Sequence, residues 1–380
     1  METPLVNPIV LKWAREKNGF TIQQASKKCG VTESTYLSWE EGKVEIPIRK
    51  LPVFAKVFKY TSAIFLLDVI PEEKYPIEFR NFFITYGNIG RELNLAIRSA
   101  QYVQSILKEL SEYSDNKFVK RISELGEKSK KFEEISTILE EYLNLNYSLL
   151  HGQRDQFKVF KRWKEYVESQ GISVMERGFP QNEARGFLLY DEIAPVIVLN
   201  TKDSIHSKIF SLIHELAHVV YRQSSIDNEI TLTENKKGEI ETLCNQIASE
   251  ILVPPTILEE RIISVQSSPL EVVISDLSKY FCVSREVIAY KLLDLKYYTR
   301  SVIEQYIEEV RQESLLFKSK KNNGGDYYKN VIVNNSPLYL FTVFDGLNNN
   351  KITFGEVVSI LKVKSENITK LERVLLDYYE

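Results

Sequence analysis

The run "FSLIHELAHVVY", residues 210–221, places His214, Glu215 and His218 inside one apolar stretch. The chain holds only 4 histidines in 380 residues, so a pair four positions apart demands a reason. An α-helix turns once in about 3.6 residues, which puts positions i and i+4 on one face, one above the other. Both imidazoles then reach the same point in space, and that is half of a tetrahedral Zn²⁺ site. Glu215 follows the first imidazole and lands beside that point. A carboxylate there can take a proton from water and return it to a leaving amine. The competing reading is a core helix with two incidental histidines. Phe210, Ile213, Ala217 and Val220 line one side and Ile209, Leu212, Leu216 and Val219 another, so the helix is buried almost all round. Unpaired imidazoles in such a setting cost free energy unless something binds them, which favours the zinc reading.

A catalytic zinc needs a third protein ligand and an open position for water. Downstream, "KGEIETLCNQIASEILVPP" (237–255) reads as a helix stopped by Pro254 and Pro255. Glu241 stands near its start, and Asn245, one turn on, shares its face. Asn245 can hydrogen-bond the far nitrogen of a ligand histidine and orient the ring. Glu239, Asp227 and Glu229 are competing carboxylates. Glu239 is off the Asn245 face, and the other two precede the helix.

The rest of the chain sets the frame. At 380 residues it is long enough for two or three domains. With 43% hydrophobic and 27% charged residues it has the make-up of a folded globular protein. A net charge of -3 excludes a generally basic polyanion-binding chain and leaves nucleic-acid contact to a local patch. Cys29, Cys244 and Cys282 form no CxxC pair and read as reduced thiols. The N-terminal stretch lacks a signal-peptide pattern, and no run of 18 apolar residues occurs. The expectation is a cytoplasmic protein without membrane contact.

Residues 1–70 read as short helices, with Thr21 and Thr32 as N-caps and Gly19, Gly30 and Gly42 at ends. Residues 90–150 read as a helical hairpin or three helices, and 153–170 as an amphipathic helix ended by Gly171. "ISVMERG", "ARGFLLYDE" and "APVIVLN" read as strands. Residues 256–318 read as helical, "KKNNGGDYY" (320–328) as a linker, and 329–380 as a small strand-plus-helices tail.

These motifs together resemble the ImmA/IrrE family of metallopeptidases. The family's HExxH is "HELAH" here. Its later helix is "ETLCNQIASEILVP", with Cys244 and Ile247 where the family has Ala and Phe, and the strand pair before the motif is "ARGFLLYDEIAPVIVLN". The resemblance implies His214, His218 and Glu241 as ligands of one Zn²⁺ per chain, with Glu215 as general base on zinc-bound water. "KWAREKNGFTIQQASKKCGVTESTYLSWEEGKVEIPIRKLPVFAKVF" resembles an XRE-type helix-turn-helix. "YPIEFRNF" and the tail "GGDYYKNVIV…KITFGEVVSILKV…ITKLERVL" resemble the link and the end of long fused members. The implied substrate is a specific protein regulator, repressor or antitoxin-like. Some long members are encoded beside a PIN-like nuclease, which is therefore a candidate partner.

Double-stranded DNA is the other candidate partner. Base readout favours Arg, Lys, Asn or Gln on the recognition helix. "TESTYLSWEE" has none of these, and Glu33, Glu40 and Glu41 would repel phosphates. Residues 1–70 nevertheless carry ten Lys/Arg against seven Asp/Glu. Gln23, Ser34, Thr35, Tyr36 and Lys43 are the candidate DNA contacts.

The expected fold class is α+β and helix-rich. It comprises a helix-turn-helix domain (1–70), a linker and helical connector (71–150), a zincin-type metallopeptidase core (151–318) and a small C-terminal domain (319–380). The expected function is zinc-dependent proteolysis, with a substrate strand added to a sheet edge above the metal. The alternative is a DNA-binding regulator or antitoxin that works by holding a partner, with little or no proteolysis.

Overall fold

The computed structural model describes residues 6–71, 90–111, 116–129, 131–222, 234–265, 267–316 and 326–378. Asp227, Glu229, the "YPIEFRNF" link and most of the 320–328 linker lie outside them. The chain divides into two compact units, Met1–Ser99 and Ala100–Glu380.

The first unit holds α1 (Pro8–Lys17), α2 (Ile22–Cys29), α3 (Glu33–Glu40) and α4 (Leu51–Phe58). Each of the first three helices starts on a side-chain cap. Asn7 accepts from the Ile9 N–H, Thr21 forms a capping box with Gln24, and Thr32 accepts from the Thr35 N–H. Between α2 and α3 the chain turns at Gly30, whose φ of 66° is left-handed and suits glycine. The core is aromatic: Tyr36, Trp39, Phe54, Phe58 and Phe65 interlock in tilted and edge contacts. α5 (Arg91–Leu110) begins in this unit and ends in the next.

The second unit continues with α6 (Lys117–Lys128), α7 (Phe132–Leu143) and α8 (Gln156–Glu168). The stretch expected as a hairpin or three helices thus contains three. Next come β1 (Ser173–Arg177), β2 (Gly186–Leu189) and β3 (Val196–Asn200), all within the runs that read as strands. β3 is central. It pairs parallel with β1, Ser173 opposite Val196, and antiparallel with β2, Gly186 opposite Leu199. All five residues of β3 are buried, as its apolar run requires. α9 (Ile205–Val220) packs on β2, β3, α6 and α8, and α10 (Glu234–Leu252) packs on α9 and α7. Burial on several sides explains why α9 is apolar nearly all round. Gly126 in α6 permits its close approach, since a Cβ there would stand 2.3 Å from the Val220 carbonyl oxygen.

α11 (Pro255–Ile262), α12 (Leu270–Phe281), α13 (Arg285–Asp294) and α14 (Arg300–Leu316) follow. The last part is α15 (Tyr327–Asn335), α16 (Pro337–Asn348), α17 (Phe354–Leu361) and α18 (Ser365–Leu376). The strand expected in this tail is absent from the described residues. "VIV" (331–333) lies inside α15, which is capped by Asp326 accepting from the Lys329 N–H and packs on β1. Cap and tertiary packing override the β-branched preference.

Three polar links, the first two buried, tie these elements together. Glu176 on β1 pairs with Lys164 at 3.2 Å and Lys208 at 2.8 Å. Glu168 accepts from the Ser336 hydroxyl at 2.6 Å, and Arg177 donates to the Asn334 carbonyl and to Asn335.

Candidate metal centre

α9 starts on Ser204, whose side chain accepts from the Ser207 N–H, and runs unbroken through His214 and His218. The helical spacing brings both rings to the face that meets α10. His214 Nε2 and His218 Nε2 are 3.1 Å apart, with the ring planes at 75°. Glu241 on α10 completes the group, one oxygen 3.3 Å from His214 Nε2 and the other 3.4 Å from His218 Nε2. Among the described residues these three form the only set of His, Cys, Asp or Glu side chains grouped closely enough to hold a metal.

The donor set fits zinc. Around a tetrahedral ion with bonds of about 2.0–2.1 Å, neighbouring donor atoms stand about 3.3–3.4 Å apart. The three observed separations are 3.1, 3.3 and 3.4 Å. Two imidazole nitrogens facing each other at this range, one of them on a ring only 2% exposed, need a proton or a cation between them.

Electrostatics describe the same centre. Burial disfavours a charged His214, but hydrogen bonding to Glu241 and the charges of Glu215 and Glu241 outweigh it and raise its pKa. Burial and the neighbouring His214 push His218 down to about 4. Burial opposes ionisation of Glu241, yet its hydrogen bond to His214 and the charges of both histidines hold its pKa below the usual value. Glu241 is thus biased toward its ionised form and His218 toward its neutral form, the forms that bind a cation, whereas at His214 a proton competes with one.

Glu215 is 5% exposed. A Cβ on Gly186 would stand 3.5 Å from its Oε1 and 3.1 Å from the Val198 carbonyl oxygen. The carboxylate therefore lies against the start of β2, whose outer edge is unpaired among the described strands. Asn245 is close enough to His214 to favour its charged form. The Nδ1 atoms of both histidines, however, carry no protein hydrogen bond in the described structure, so Asn245 does not occupy the far nitrogen expected for it. Glu239 is absent from the cluster.

Residues 167–293 match the IrrE N-terminal-like domain of a metallopeptidase family, and residues 11–65 match a helix-turn-helix family. The stretch 167–293 is thus similar to an IrrE-like domain. All of β1 to β3, α9, α10 and nearly all of α13 fall inside it. A search of curated proteins found no match. Nothing in these comparisons supports the PIN-like partner. No helix among the described residues is long and apolar enough to cross a membrane.

Beside the IrrE-like domain's histidines sit three residues that motif reading passes over. Phe210, one turn before His214, stacks against its ring at 6.3 Å and 24°. Gly186 borders Glu215, and a Cβ there would crowd the Val198 carbonyl oxygen at 3.1 Å. Cys244 is fully buried, and its thiol pKa is raised by burial and then by the charges of Glu241 and Glu215. Phe210 shares the helical face of His214, which was the available signal; the other two had none.

The helix-turn-helix surface differs from its sequence reading. Glu40 does not face outward: its side chain is 4% exposed and takes a two-pronged contact from Arg15, at 2.7 and 2.9 Å. Glu41 is paired with Lys43 at 2.7 Å. Only Glu33 remains of the three expected to repel phosphates. Gln23, Ser34 and Lys43 are exposed, and Thr35 is half-buried against Thr32. Tyr36 is a correction. It is 0% exposed and part of the aromatic core, so it offers no contact to DNA. Leu37 is 39% exposed.

Proposed function

We propose that the chain is a zinc-dependent endopeptidase that cleaves a specific protein regulator, linked to double-stranded DNA through its helix-turn-helix unit. One observation carries the reading. His214, His218 and Glu241 converge within 4.8 Å, with the buried Glu215 adjacent in sequence and on the same helix. One zinc ion, held by those three side chains, supplies Lewis acidity toward water and the scissile carbonyl. The protein's own groups do the rest. Glu215 takes a proton from the attacking water at its carboxylate and delivers it to the departing amine. The free edge of β2 binds the substrate backbone as an added strand, close to Glu215. The apolar walls of α9 keep bulk water from the carboxylate and strengthen its interactions.

Metal content by mass spectrometry tests this reading. About one zinc per chain in the wild type, weakened or lost in Glu241→Ala, is the expected result. A folded wild type that takes up no zinc would sink the proposal.

A second reading, a DNA-bound regulator acting by holding a partner, is favoured by the Arg15–Glu40 pair, which removes an acidic charge from the recognition surface. Glu215→Gln separates the two. Biological output that survives the change belongs to binding, and output lost with the fold intact belongs to catalysis.

A further inference from the structure

A cavity borders the two helices that carry the metal cluster. Ser207 and Ser211 of α9 lie on the helical face that carries His214 and His218. Thr242 and Asn245 of α10 lie beside Glu241, and Ser249 continues that face. These residues line a cavity of about 510 Å³ whose far wall is α13, with Val287 and Tyr290. Its walls are apolar at Phe210, Val287 and Tyr290, and its floor presents hydroxyls and amides.

A second cavity, of about 620 Å³, shares Arg185, Ser284 and Glu286 with the first. The two are one trench, and its far end is cationic. Arg185, Lys279 and Arg285 line it against a single carboxylate, Glu286. The side chains of Arg185 and Lys279 make no hydrogen bond or ion pair with any described residue, and both residues are exposed. Ser204 and Ser284, the N-caps of α9 and α13, also line this end, so two helix N-termini add their positive ends to the same space. The side chains of Arg185 and Lys279 and the two helix N-termini thus add positive potential to a space whose described lining includes one carboxylate, Glu286.

We propose that this cationic end is the specificity subsite of the peptidase, and that it takes an acidic side chain, Asp or Glu, of the peptide substrate. The proposal deepens the peptidase reading and rests on it. Its register follows from the helix. From His214 back to His206 and Ser204 is eight to ten residues, about 12–15 Å along the axis at 1.5 Å per residue. An extended peptide advances about 3.3 Å per residue, so the acidic side chain falls about four residues from the scissile bond. Arg185 precedes Gly186 at the start of β2, and a strand added to that edge runs past its guanidinium. The substrate is thus recognised by backbone pairing along β2 and by charge where Arg185 meets the trench.

The test uses the full-length zinc-loaded protein and a randomised synthetic peptide library, with products read by mass spectrometry. Wild type should enrich Asp or Glu about four residues from the cut on one side. The Arg185→Glu/Lys279→Glu protein should invert that preference toward Lys or Arg, with a change of about ten-fold or more. Arg185→Gln/Lys279→Gln should lose the preference without inverting it. Unchanged zinc content in these variants shows that the fold and the metal centre are intact. The same library retained on Glu215→Gln protein gives a readout without turnover. Acidic peptides retained but never cut would overturn the peptidase reading and leave the subsite standing. Cutting without a charge preference, or with one unmoved in the double Glu variant, would overturn the subsite and leave the peptidase. A library neither cut nor retained would overturn both.

Discussion

Two polar clusters in the second unit, one buried and one open to solvent at Glu241, make an instructive pair. Glu176 brings together Lys164 and Lys208, all three 10% exposed or less. Glu241 brings together His214 and His218. The first group completes itself. Burial disfavours charge on Lys164, but Glu176 and Glu168 outweigh it and raise its pKa. Burial likewise opposes ionisation of Glu176, and the two lysines overcome it. The second group does not. Its imidazole nitrogens face one another, and both Nδ1 atoms lack a protein partner in the described structure. A polar cluster that balances its own charge holds elements in place, whereas one left a cation short is built to bind.

The largest expected effect tests the open site. Glu215→Gln should lower peptide cleavage by about 10²–10⁴-fold while the protein still folds and still binds zinc. Loss of zinc in that variant would mean Glu215 belongs to the metal's own ligand set. Glu176→Ala should do the reverse. Leaving two lysines buried without their partner costs about 3–5 kcal/mol, read as a lower denaturation midpoint with zinc stoichiometry per folded chain unchanged. Stability that hardly moves would erase the contrast between the two clusters.

His151 is an intermediate case, a buried histidine with no charge to meet. It stacks on Tyr147 at 4.9 Å and edge-on to Phe281 at 4.8 Å, and burial pushes its pKa down to about 4. Its unfolded value is about 6.5, so the folded chain favours the neutral ring. Stability from this ring is present in full above pH 6.5 and is lost as pH falls toward 4, by up to about 3 kcal/mol. His151→Phe should flatten the stability curve in that window; an unchanged slope would remove His151 as its cause.

Zinc at about 100 times its Kd should stabilise the fold by about 2.7 kcal/mol. Thermal unfolding with and without chelator, in wild type and Glu241→Ala, measures this and shows whether the open cluster is closed by the ion. The smallest effect is in the first unit. Arg15→Ala, which strips Glu40 of its charged hydrogen bonds, should cost about 1.5–3 kcal/mol, read from unfolding of the helix-turn-helix unit.

What the sequence disclosed follows from the distance over which each feature is written. The shared face of His214 and His218 is local, set by four positions of one helix. The three strands are also local, because runs such as "APVIVLN" carry their own length and turn signals. Glu241 needed a motif, since spacing alone left Glu239, Asp227 and Glu229 in play. The pairing of Arg15 with Glu40 spans 25 positions and depends on how α1 crosses α3, so a count of acidic residues misjudged that surface. Tyr36 was misplaced for the same reason, because which face of a short helix is buried depends on its neighbours. The cationic trench draws on Arg185, Ser204, Lys279 and Arg285, from four separate segments, and no local pattern announces it.

The Ser336–Glu168 and Arg177–Asn334 links bear on modularity. The family match ends at residue 293, and a designer trimming the chain to that border would expect a minimal enzyme. Such a trimmed chain would strip the hydroxyl from a buried carboxylate on α8 and the carbonyl from a guanidinium on β1, the strand that holds the sheet beneath α9. The proposed catalytic residues would all be present and their scaffold would not. For this protein the smallest unit that can be exchanged, by recombination or at the bench, extends past the family match to include Ser336.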